Sequence, residues 1–166
     1  MRDAIFLIAV CLIVTLLQVT SLGFLVPMAY KPDLMLVCVI WASLRARLEV
    51  GMAFAFCSGI LIDFLSGSPT GLFALIYSVS FVVCGFLNTT FAVDRPVGRM
   101  VAASIATVIA GAAVLFLRWI SGPVDVGSYV VAWIAAKSAA TGLACLVAFP
   151  VMDSMRAGYS RLIGAQ

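Results

Sequence analysis

Ionisable side chains inside apolar stretches are where chemistry would sit in this chain, and Asp63 and Lys137 are the two least at ease there. A charge in lipid is costly, so it is paired, held at the interface, or used as a site. Asp63 closes the apolar stretch Gly59-Ile60-Leu61-Ile62-Asp63, and the turn Ser66-Gly67-Ser68-Pro69-Thr70-Gly71 follows at once. Lys137 lies about eight residues into a later apolar run, roughly 12 Å along a helix at 1.5 Å per residue. Left alone at that depth, its ammonium costs on the order of 2–3 kcal/mol. Three arrangements answer this: Asp63 caps the next turn while Lys137 snorkels, the two pair and tie two helices together, or they form a ligand or proton site. Gly67, Pro69 and Gly71 supply the dihedrals of a tight turn, with partner docking as the alternative role.

Other chemistries lack their parts. The chain has no histidine, so Ser66, Ser68 and Ser80 have no base of the usual kind. Asp63 has no second carboxylate in a comparable setting, and no catalytic residue is expected. Cys11, Cys38, Cys57, Cys84 and Cys145 lie in apolar runs without CxxC spacing, which marks them as soft packing residues rather than a disulfide or zinc framework. No metal and no cofactor are expected.

The elements that position these residues follow from composition. The 166 residues are 64% hydrophobic and 10% charged, against about 25% charged in an ordinary soluble domain. That is an all-α, polytopic integral membrane protein, and residues 1–166 form a single transmembrane helical domain. No basic tail or Lys/Arg cluster suits nucleic acid. Six apolar runs stand out: 4–26, 34–44, 50–65, 72–91, 100–120 and 129–152. The first is longer than a signal-peptide core and is followed by no small-residue cleavage site, so it is expected to be retained as a helix. Gln18 and Thr20 within it are expected to face protein. The second is short; it crosses a roughly 30 Å core only as a helix from Pro32 to about 48, with Arg45 and Arg47 snorkelling, and a re-entrant segment is the alternative. Pro32-Asp33 is its start, with Asp33 near the positive end of the helix dipole.

Six spans place both termini on one side. Arg2, Arg45, Arg47, Arg95, Arg99, Arg156 and Arg161 fall on that side, while the opposite loops hold Lys31 and Arg118. The asymmetry predicts cytoplasmic termini and an extracytoplasmic turn at 66–70. Two small-residue rows, Gly51/Ala55/Gly59 and Ala103/Thr107/Gly111, recur every four residues. Such faces let a second helix approach closely, from a partner or from the chain itself.

The stretch Lys31-Pro32-Asp33-Leu34-Met35-Leu36-Val37, then Gly59-Ile60-Leu61-Ile62-Asp63, then Gly67-Ser68-Pro69-Thr70-Gly71 resembles the rod shape-determining protein MreD family. The likeness is detailed over residues 31–90 and extends to the whole chain in length and span count. It implies a bacterial inner-membrane, non-catalytic component of the peptidoglycan elongation machinery. Its implied partners are the bitopic protein MreC and, indirectly, MreB, RodA and a class B penicillin-binding transpeptidase. The implied fold is similar to the six-helix S-components of energy-coupling-factor transporters. The partner's single helix is expected against Gly51, Ala55 and Gly59 or Ala103, Thr107 and Gly111. The alternative function is an S-component that binds a small molecule. A binder of that kind needs a pocket with several convergent polar groups, and Asp63, Asp125, Tyr129 and Lys137 are few, which favours the scaffold.

Overall fold

A computed structural model describes residues 2–25, 32–66, 71–90, 96–121 and 128–164, with side chains described for 5–18, 32–66, 71–88, 97–116, 132–159 and 161. Six α-helices follow in order: α1 (Arg2–Leu25), α2 (Leu34–Arg45), α3 (Leu48–Ser66), α4 (Leu72–Thr90), α5 (Pro96–Ser121) and α6 (Ser128–Gly164). Among the described residues there is no strand. Three helical stretches, Leu48–Ser66, Val97–Phe116 and Ala132–Tyr159, are long and apolar enough to cross a membrane. The apolar stretches described in α1, α2 and α4 are shorter.

The core is built around α2. Every residue from Met35 to Ala42 is at most 2% exposed, which is the pattern of a helix apolar all round and therefore wrapped on all sides. It touches each of the other five helices. The outward faces are also apolar: Ile5, Ile8, Leu12 and Leu16 form an exposed stripe along α1, and Phe56, Phe64, Phe86 and Phe116 are exposed on α3, α4 and α5. A soluble monomer rarely shows so much contiguous apolar surface; lipid is the solvent that suits it.

The expected helix over 32–48 is not formed. With 12 residues, α2 is about 18 Å long at 1.5 Å per residue and falls short of a roughly 30 Å core. It stops because both ends are met from outside the helix. Asp33 caps the first turn, its Oδ1 accepting from the Leu36 amide at 3.0 Å. At the other end Ala46 turns extended (φ −93°, ψ 162°), and the Arg45 carbonyl accepts from Arg156 Nη1 at 2.7 Å. That carbonyl is one of the orphans every helix end leaves.

The other boundaries shift for comparable reasons. α5 starts at Pro96, the first helical position, where a missing N–H costs nothing. α6 passes through Pro150 and continues to Gly164, beyond the expected end near 152. Its extension has partners: Arg156 reaches Arg45, and the Tyr159 ring lies 5.8 Å from that of Phe6 on α1.

Candidate functional site

Asp63 is 2% exposed, and its carboxylate is consumed by the start of α4. Oδ2 accepts from the Gly71 amide at 2.8 Å and from Ala74 at 3.4 Å, and Oδ1 accepts from Phe73 at 2.9 Å. These are N–H groups of a first turn, which have no partner inside their own helix, and a carboxylate there also meets the positive end of the dipole. Gly71, at φ +101°, shapes the entry; a β-carbon is disfavoured there. Gly67 and Pro69 lie outside the described residues. Asp63 therefore fixes the α3–α4 hairpin.

Lys137 and Asp63 are not paired. The Lys137 ammonium stands over the Trp133 ring, 5.5 Å from its centroid. One turn along α6, Thr141 donates its hydroxyl to the Lys137 carbonyl at 2.9 Å and accepts from the Asp33 amide at 3.1 Å. Tyr77 of α4, fully buried, donates its hydroxyl to the Asp33 carboxylate at 3.0 and 3.2 Å. Asp33 thereby links α2, α4 and α6 through its main chain and its side chain. Asp33 and Lys137 line one cavity of about 100 Å³, walled by Phe73, Thr107, Val114 and Trp133.

The small-residue rows are used within the chain. A β-carbon on Gly59 would lie 2.3 Å from Ala74 Cα, and one on Gly51 would lie 2.5 Å from the Phe81 ring. Both contacts belong to α4, and Ala55 between them is fully buried. Ala103 and Thr107 are buried likewise, and Gly111 faces Ile134 of α6 at 3.2 Å from its would-be β-carbon. On that geometry α4 packs against Gly51 and Gly59 of the first row, and α6 packs against Gly111 of the second. Gln18 is half-buried in α1 as expected, whereas the side chain of Thr20 lies outside the described ones.

The opposite end of α2 carries a second polar group. Trp41 Nε1 donates to Asp153 Oδ1 at 2.8 Å, and Arg45 Nε lies 3.7 Å from the same oxygen. The Arg156 guanidinium lies 5.7 Å from the Trp41 ring centroid. Sequence reasoning missed Tyr77, Thr141 and Asp153 as partners. Their signal was present, since Tyr77 and Thr141 are polar residues inside apolar runs and Asp153 directly follows one, but the partners stand 44, 108 and 112 residues away.

Apolar grooves remain open beside α1, among them one of about 160 Å³ against α2 and α6, lined by Val10, Val14, Cys38 and Met152. A groove of about 520 Å³ runs between α1 and α3, lined by Leu7, Ile8, Cys11 and Leu12 on one wall and by Ala53, Cys57 and Leu61 on the other, with Glu49 at one end. Among the described residues no group of three or more His, Cys, Asp or Glu is placed to hold a metal ion.

These features define a helical membrane protein whose buried polar groups join helices, with no assembled catalytic constellation among the described residues. The family model of the rod shape-determining protein MreD matches residues 2–155, and the chain belongs to that family. Family membership gives it a part in rod shape determination, in a family of membrane proteins not known as enzymes. No curated protein and no solved structure matches the chain.

Proposed function

We propose that the protein is a non-catalytic scaffold of the bacterial cell-wall elongation complex, spanning the cytoplasmic membrane six times with both termini in the cytoplasm. On this reading its fold is of the S-component type, and it binds a MreC-like bitopic protein. Through that partner it acts with MreB, RodA and a class B penicillin-binding transpeptidase. Family membership supports the setting, and the arginine asymmetry supports the orientation.

The observation that carries the binding reading is the α1–α3 groove. α4 and α6 pack on the two small-residue rows, and this apolar surface is open. Ala53 and Cys57, one turn apart on α3, keep its floor low enough for a helix backbone to approach. Glu49 sits at the end that this orientation makes cytoplasmic, where a single-span partner carries its basic flank. The small-molecule alternative has less support: the cavity at Lys137, about 100 Å³, is well below the roughly 300–1,000 Å³ of organic-ligand pockets, and the α1–α3 groove, large enough at about 520 Å³, lacks a set of convergent polar groups.

Co-purification of the full chain with a tagged MreC-like partner from detergent-solubilised membranes tests this. Ala53→Trp with Cys57→Trp should cut recovery of the partner at least tenfold while the folded level of the chain stays the same. Unchanged recovery rules out the groove as the docking surface.

A further inference from the structure

α1 is held unevenly along its length. Its buried side chains, Phe6, Leu7 and Val10, lie near one end, and from Cys11 to Gln18 every side chain is half-buried or exposed. The Phe6 ring stands between two others, 5.7 Å from that of Trp41 on α2 and 5.8 Å from that of Tyr159 on α6. Trp41 is fixed in turn by its bond to Asp153, so this end of α1 is clamped to the joint of α2 and α6.

Further along, α1 meets the bundle by a narrow seam with a groove on either flank. Cys11 and Leu12 face Ala53 and Cys57 of α3 across about 520 Å³, whereas Ile13 and Leu17 face Val151 and Met155 of α6 across about 160 Å³. Lipid is as apolar as these side chains, so packing and interhelical hydrogen bonds, not the hydrophobic effect, hold a helix in place there. Packing is close at Phe6 and interrupted on both flanks of the later turns. Hydrogen bonding is incomplete as well: Gln18 Oε1 is buried, and among the described residues no donor reaches it. A buried acceptor left unpaired carries a free-energy penalty, which a second position of α1 that pairs or hydrates it relieves.

We propose that α1 is a hinged helix, pivoting at Phe6 so that its later turns swing between α3 and α6 and close one groove as they open the other. Leu17 is 11 positions beyond Phe6 (17 − 6), about 17 Å at 1.5 Å per residue. A tilt of about 15° carries it roughly 4 Å, a side-chain contact distance. Small displacements of one packed helix against its neighbours are a common switching motion. The body it moves against is joined by Asp33, Asp63 and Gly59 through contacts that do not involve α1. A helix docked in the α3 groove holds α1 against α6; that consequence rests on the scaffold reading, and the hinge does not.

Electron paramagnetic resonance of the full chain in nanodiscs tests the hinge with no partner present. Spin labels go on exposed positions, Leu17→Cys with Val151→Cys across the smaller groove and Ile5→Cys with Met155→Cys beside the pivot. The background carries Cys11→Ala and Cys57→Ala, and Cys38, Cys84 and Cys145 are buried from the reagent. The 17–151 distance distribution should be broader than that of a control pair on the α3–α4 hairpin, Phe64→Cys with Leu75→Cys; equal breadth overturns the proposal. Bulk added to the α3 wall, as Ala53→Trp with Cys57→Trp, should shorten the 17–151 distance by about 4 Å and leave the 5–155 distance unchanged. Ala148→Trp, on the α6 wall, should lengthen the 17–151 distance. A 17–151 distance that stays at the reference value in both variants overturns the hinge. So does an equal shift of the 5–155 pair, which is sliding of the whole helix, or of the control pair, which is distortion of the bundle. Because no MreC-like protein is present, failure here leaves the co-purification experiment untouched.

Discussion

Replacing Asp63 by alanine should be among the most destabilising single changes available in the chain. The carboxylate accepts from the Gly71 and Phe73 amides at 2.8 and 2.9 Å, with a longer contact to Ala74 at 3.4 Å. A hydrogen bond to a charged group contributes about 1.5–3 kcal/mol net, and a buried donor left without a partner costs about 1–3 kcal/mol. The two short bonds dominate, and the site is 2% exposed, so water cannot readily replace the lost acceptor. We expect Asp63→Ala to cost about 3–5 kcal/mol, above the ~0.5–2 kcal/mol of an ordinary N-cap. Asp63→Asn keeps one acceptor oxygen and places an amide NH₂ against an N–H, so about 2 kcal/mol is expected.

The assay is reversible unfolding in mixed micelles on titration with sodium dodecyl sulfate, followed by tryptophan fluorescence. The decisive comparison is a double-mutant cycle with Lys137→Ala. If Asp63 acts through the α4 amides, the two substitutions should add to within about 0.5 kcal/mol, as independent sites do. A coupling above about 1 kcal/mol would show that the two charges interact after all. Asp63→Ala unfolding at the wild-type midpoint would refute the capping argument outright.

Other substitutions test separate joints. Gly59→Ala puts a β-carbon 2.3 Å from Ala74 Cα, where only backbone movement gives relief; about 3 kcal/mol or more of overpacking should appear as a reduced folded level in membranes. Gly51→Ala meets the Phe81 ring, which can rotate away, and should be milder in the same blot. Tyr77→Phe removes the hydroxyl held by Asp33 and should cost about 1.5–3 kcal/mol in the same detergent titration, with no change in secondary structure by circular dichroism. Lys137→Ala should leave the folded level within about twofold of wild type, because its ammonium joins no second helix among the described residues and a solvent-reaching cation contributes little to stability.

How much of this was legible beforehand differs from joint to joint, and range along the chain explains the difference. The helices follow from apolar runs, and local caps follow from residue type: Asp33 three residues before Leu36, and Asp63 eight residues before Gly71. A small-residue row announces that some helix will come close at Gly59, but its spacing carries no information on whether that helix is α4 or a partner. Tyr77 and Thr141 meet Asp33 only because α2 begins well inside the bundle. That depth depends on where α2 stops, which Asp153 and Arg156 decide from the far end of α6. Arg45, expected to snorkel from a membrane-crossing α2, is instead turned sideways to Asp153 of α6. The shortness visible in residues 34–44 was thus a structural signal. A central helix of about 18 Å in a roughly 30 Å core leaves space beyond its first turn, and the Lys137 cavity stands there.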